Sequence, residues 1–146
     1  MRVKDRFQPR GAVRLEVWRD GRRELVEHPN LITRLGRERF ARIFGGDPTA
    51  ERPWEIAIGE GGLPASPDDT DLTMPFARPF SAEPTYAGAS VTFQTTFEES
   101  DAVGLPVREL GLRDADGFLF ARWVRQGGLL VKADDMRLLA FWTIQF

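Results

Sequence analysis

Met136-Arg137-Leu138-Leu139-Ala140-Phe141-Trp142-Thr143-Ile144-Gln145-Phe146 is the stretch whose reading decides the fold. Every even position from Leu138 to Phe146 is apolar, and the odd positions after Leu139 turn polar only at Thr143 and Gln145. Side chains of a strand alternate between its two sides, so this is a strand with one face fully buried and half of the other covered. So apolar a strand has to be paired inside a sheet, because left exposed it would aggregate. The expectation is a β domain that uses this segment as structure.

Working outward, the same period-two pattern recurs. Val13, Leu15 and Val17 alternate with Arg14, Glu16 and Trp18, and Asp20-Gly21 supplies a hairpin turn that needs positive φ at both central positions. Glu24 to Glu27 should return as a second strand that ends at His28-Pro29. Trp54 to Ile58, Val91 to Phe97, Val107 to Arg113 and Phe118 to Val124 read as further strands, with Phe80 to Tyr86 as an edge strand beside its prolines. One helix is expected over about 33–44. Thr33 caps it, Ile32, Leu35, Phe40, Ile43 and Phe44 form its apolar stripe, and Gly45-Gly46 with Pro48 stop it. The sum is a mainly β protein: an antiparallel β-sandwich or partly open barrel of seven or eight strands with one short helix. Residues 1–10 read as a polar N-terminal arm and 11–146 as a single domain.

At 42% hydrophobic, 146 residues can bury one core. The net charge of -2 gives no electrostatic case for nucleic acid or an acidic membrane surface. No apolar run approaches the roughly 20 residues that span a bilayer, and Met1 to Arg10 holds no apolar export core, so synthesis and retention in a cytoplasm are expected. Zero cysteines exclude disulfides and thiolate chemistry. Arginine carries nearly all positive charge, with Lys4 and Lys132 the only lysines, as in a GC-rich genome or a heat-adapted host.

Residues that could carry chemistry each have a plainer reading. His28 is the sole histidine and sits between Glu27 and Pro29 without triad partners, so it is expected at a hairpin end. Asp68, Asp69 and Asp71 match no calcium loop and read as a solvated turn. Gly59-Glu60-Gly61-Gly62 lacks the Lys and Ser/Thr of a phosphate loop. Neighbouring acids such as Glu98-Glu99 and Asp134-Asp135 point to opposite sides of a strand and make poor dyads. Arg34, Arg37, Arg39 and Arg42 with Glu38 read as a solvated helix face that could meet an acidic partner. Pairing Arg113 with Phe118 across 114–117 sets Glu109 opposite Arg122, which predicts that this carboxylate and guanidinium touch; a turn of Asp116-Gly117 alone would slide Arg122 past.

The order of motifs adds a resemblance. Asn30-Leu31-Ile32-Thr33 enters the helix, Ile56 to Gly62 ends in a glycine turn, and an Asp-Thr-Asp-Leu segment leads to Arg78. The Thr/Phe strand Val91 to Glu98, Arg108-Glu109-Leu110-Gly111-Leu112, Leu119-Phe120-Ala121-Arg122 and Phe141-Trp142-Thr143-Ile144 follow. In this order residues 30–146 resemble small β-rich virion proteins of tailed bacteriophages and prophages, of the tail, tail-fibre or head-decoration type. The resemblance implies a non-enzymatic structural subunit located in the virion, with no catalytic, cofactor or metal residues. It implies copies of itself (a homo-oligomer, with a trimer as the guess) and other virion proteins as partners, and neither nucleic acid nor membrane. Trp18, Trp123, Trp142, Phe146, Arg39 and Arg42 are the candidate interface residues, since Trp and Arg favour contacts; the sheet could equally absorb the tryptophans. Alternatives are a glycan-binding module using exposed tryptophans and a small hydrolase using acidic residues.

Overall fold

Asp20 and Gly21 have φ of 53° and 70°, the pair of positive values that the hairpin turn demands. They join β1 (Arg10–Arg19) to β2 (Arg22–Ile32), with Arg19 opposite Arg22. The computed structural model describes residues 9–146, and the arm expected over 1–10 lies outside the described residues as far as Gln8; Arg10 already belongs to β1. β2 runs through His28 and Pro29 rather than stopping there. Proline fits because β8 (Leu119–Val124) pairs with β2 only at Leu31 and Ile32, so most of β2 is an edge that needs no donor on that side.

The remaining elements are α1 (Arg34–Phe44), β3 (Glu55–Gly59), β4 (Phe76–Pro79), β5 (Thr85–Ala87), β6 (Ser90–Phe97), β7 (Glu109–Arg113) and β9 (Arg137–Gln145). Among the described residues, nine antiparallel strands form one sheet in the order β4-β3-β7-β8-β2-β1-β9-β6-β5. The expected strand over 80–86 is replaced by two short ones, β4 and β5, on either side of a proline-flanked link. The sheet curls until its ends meet: Ser81 N donates to Gln94 O over 2.8 Å, and Phe80 N to Trp54 O over 3.1 Å. Of the two architectures expected, the partly open barrel is the one adopted.

The terminal strand decides the core as its pattern requires. β9 lies between β1 and β6, and Leu138, Ala140, Trp142 and Ile144 are fully buried. They meet Val13, Leu15 and Val17 of β1, Phe93 and Phe97 of β6, Ile56 and Ile58 of β3, and Leu110 and Leu112 of β7. Each such side chain contributes roughly 1.5–3 kcal/mol when removed from water. With the Asn30 amide oxygen turned toward the indole, it accepts from Trp142 Nε1 (3.2 Å) and Ala12 N (2.9 Å), so the buried indole keeps a partner.

α1 covers one end of this barrel. Thr33 Oγ1 accepts from Gly36 N over 2.9 Å and donates to Leu119 O over 2.9 Å, so one hydroxyl caps the helix and ties it to β8. Gly36 is packed so closely on the Phe120 carbonyl that a β-carbon would collide with it. Phe40 then rests on Phe120, ring centres 4.9 Å apart.

Candidate functional site

The open end of the barrel, between α1, the β4–β5 link and the last residue, forms a groove of about 970 Å³. Its floor is Phe40, Phe80 and Phe93, with Phe80 stacked on Phe93 at 4.9 Å. Its rim is exposed aromatic surface: Phe44 is 69% exposed, Trp54 57% and Tyr86 79%. Phe146 presents its edge to Phe44 at 5.0 Å and to Phe40 at 6.1 Å, while its N–H donates to Ala89 O over 2.9 Å. Arg52 and Glu83 are the charged side chains of the lining. Large exposed rings around one concavity are costly in water and mark an interaction surface.

The candidate interface residues divide. Phe146 lines this groove. Trp142 and Trp123 are buried inside the barrel, which corrects their assignment as contact residues: alternation points both at the core. Trp18 lies on the outer face, where its Nε1 donates to Glu16 Oε1 over 3.1 Å and Arg23 sits over its ring. Arg39 is not free on a solvated face either. It turns inward onto the Phe118 ring at 3.8 Å and donates to Asp114 Oδ2 at 3.0 Å. Arg42 stays exposed and pairs with Asp47 at 2.6 Å; two hydrogen bonds from Thr49, with Arg42 beside them, hold the Asp47 carboxyl down to about 2. Three further exposed rings of the groove, Phe44, Trp54 and Tyr86, stand outside the set of candidate interface residues. Phe44 reads as part of the apolar stripe of the helix and Trp54 as alternating in line with Ile56 and Ile58, but Phe44 is the last residue of α1 and β3 begins only at Glu55, so both rings stay exposed.

The charged clusters hold loops. Arg122 Nε reaches Glu109 Oε1 at 2.8 Å, and its other donors go to Asp69 Oδ2 (2.9 Å) and the Leu63, Gly61 and Pro64 carbonyls (3.0, 3.4 and 3.4 Å). Glu109 Oε2 accepts from Gly61 N (2.6 Å) and Thr73 N (2.8 Å), so the anion seated on this glycine loop is the protein's own carboxylate. The expected contact therefore forms, but the register differs. Glu109 faces Val124 and Arg122 faces Gly111, with an irregularity at Leu112/Arg113. Asp68 and Asp71 are exposed, as a solvated turn requires, and Asp69 is half-buried; each reaches a different arginine, Arg34 (3.3 Å), Arg113 (3.5 Å) and Arg122 (2.9 Å) respectively.

Elsewhere Lys132 is buried, and its ammonium donates to the Glu98, Glu99 and Ala133 carbonyls at 2.9, 3.0 and 3.1 Å. Burial pushes its pKa down against the pull of Asp101 and the acids around it. His28 stacks on Trp123 at 5.9 Å. Glu98 pairs with Arg137 and Asp135 with Arg19, consistent with turn-stabilising roles.

Comparison with protein-family models, with curated proteins and with solved structures returns no match. The reading of this protein's role therefore rests on its own geometry.

Proposed function

We propose that this protein is a non-catalytic assembly subunit, of the phage-particle kind that its motif order resembles, working through repeated protein–protein contacts. The observation that carries the reading is the aromatic groove at the open end of the barrel, walled by Phe44, Trp54, Tyr86 and Phe146. A concavity of that size with apolar walls suits an apolar segment of a neighbouring virion protein, which would anchor large side chains there and exclude water. The buried charges favour the same reading, because they are spent on fixing loops: Arg122 with Glu109 and Asp69, Lys132 with three carbonyls, Arg39 with Asp114. Glu109 and Asp69 do converge, but on a guanidinium.

The test is density-gradient purification of particles from a culture that produces them, with an antibody against this chain. Co-migration with particles, lost on Trp54→Ala/Tyr86→Ala while the melting temperature holds, is the expected result. A chain that never associates with particles sinks the reading.

One observation favours a second reading. Trp54 and Tyr86 share the groove with Glu83 and Arg52, the combination of ring faces and hydroxyl-binding groups that suits a sugar. Specific glycan-array binding that disappears in Trp54→Ala would replace the assembly role with a glycan-binding one.

A further inference from the structure

We propose that the free edge of β2 is a self-association surface, on which a second copy of this chain adds its own β2 antiparallel across a two-fold axis at Leu25. The inference rests on the assembly reading and names the partner for one of its surfaces. β1 covers one side of β2 from Arg22 to Asn30. β8 reaches the other side only at Leu31 and Ile32. From Arg22 to Pro29, the backbone groups directed away from β1 have no strand partner among the described residues. Such an edge is a template for another strand. It is the longest one offered: the outermost strands of the sheet, β4 and β5, have four and three residues.

The side-chain pattern says what fits there. Along Arg22-Arg23-Glu24-Leu25-Val26-Glu27-His28, an antiparallel two-fold centred on Leu25 sets Arg23 of each copy opposite Glu27 of the other and Leu25 opposite itself. Symmetry makes the ion pair twice. Arg23, Leu25 and Glu27 are exposed and lie on one face, opposite Trp18, Glu16 and Arg14 of β1, with Leu25 46% exposed. Directly opposed residues must share a face, so a residue has to lie on the axis and the alternatives are few. An axis at Glu24 brings two glutamates together. An axis at Val26 sets Arg23 against Pro29 and Leu25 against Glu27. The sequence therefore favours one register for pairing with itself, and the charges that would discourage a random strand select this one.

Sedimentation equilibrium on the full chain tests it. The wild type is expected to dimerise. Arg23→Glu sets like charges across both pairs, and Glu27→Arg does the same with the opposite sign; each should weaken dimerisation on the order of tenfold. An equimolar mixture of the two variants sets opposite charges across both pairs and should recover the wild-type dimer, a gain that misfolded variants could not give. A wild type that stays monomeric overturns this inference and leaves the assembly reading resting on the groove alone. A dimer indifferent to both swaps also overturns it, since self-contact then lies elsewhere. Charge-swap recovery without any association with particles upholds the β2 contact and sinks the assembly reading instead.

Discussion

Arg122 Nε donates to Glu109 Oε1 over 2.8 Å although the two residues are not opposite one another in the β7–β8 ladder. Gly111 faces Arg122, two residues along β7 from Glu109 and on the same side of it, so the guanidinium leans diagonally over a position with no side chain. There it meets the loop between β3 and β4, and carboxylates and carbonyls take up all of its donors. One arginine thus closes a loop of more than a dozen residues onto the back of the sheet.

Glu109→Ala leaves that guanidinium short of its buried counter-charge and Gly61 and Thr73 without their acceptor. The expected loss is about 3–5 kcal/mol in urea unfolding. Glu109→Ala/Arg122→Met should cost less than the sum of the single changes, because the stranded charge is gone. Additive losses would mean that the two groups act independently.

How far the sequence reached can be judged from these same strands. Alternation located the core faces of β1, β6 and β9 because one side of each is clearly the more apolar, and Asp20-Gly21 named its own turn. The register of β7 with β8 did not follow, since it is set by Asp114. That buried carboxylate accepts from the Asp116 and Phe118 N–H groups and displaces the ladder by one residue beyond Leu112. Trp123 and Trp142 looked like contact residues by type alone, whereas their parity already pointed inward. The groove was illegible for another reason. It is assembled from α1, residues 52–54, the 79–93 segment and Phe146, which lie apart in the chain and have no shared period.

Arg39 and Arg42 stand three residues apart on α1 yet should behave differently. Arg39 answers the buried Asp114, whose other oxygen holds the β7–β8 turn; Arg42 and Asp47 sit in solvent. Arg39→Ala is expected to destabilise by about 2–4 kcal/mol, since it strands a buried carboxylate. Arg42→Ala should stay within about 1 kcal/mol. Thermal melts of the two variants under one buffer make the comparison, and equal losses would refute it.

Gly36→Ala reverses the usual rule for helices. An exposed helical glycine gains roughly 1 kcal/mol on becoming alanine. At Gly36 the added methyl would drive into the Phe120 carbonyl oxygen and Thr33 Oγ1, the two groups that dock α1 on β8. A loss of about 1–3 kcal/mol is expected instead. A rise in melting temperature would show that the helix can lift off the strand, and that the aromatic groove beside it is adjustable.

Stability should fall on the acid side in a way that specific carboxylates explain. The Arg78 guanidinium, at 2.5 and 3.1 Å, holds the Asp101 carboxyl below its ordinary value of 3.8 against the opposing effect of burial, with Glu98 N assisting. Burial would raise Glu16, but hydrogen bonds from Arg14 and Trp18 and the charge of Arg23 outweigh it and hold it below 4.5. In both cases the native state binds the proton more weakly than the unfolded chain. Their contribution is therefore complete above the unfolded values and is lost as pH falls through the depressed native ones. The urea midpoint of the wild type should begin to drop below roughly pH 4.5. Asp101→Asn should be less stable than the wild type at neutral pH, and the gap should narrow as the pH is lowered from neutrality and the wild-type carboxyl takes up its proton. A gap that persists unchanged across that range would mean that the Arg78–Asp101 pair contributes through shape and not through charge.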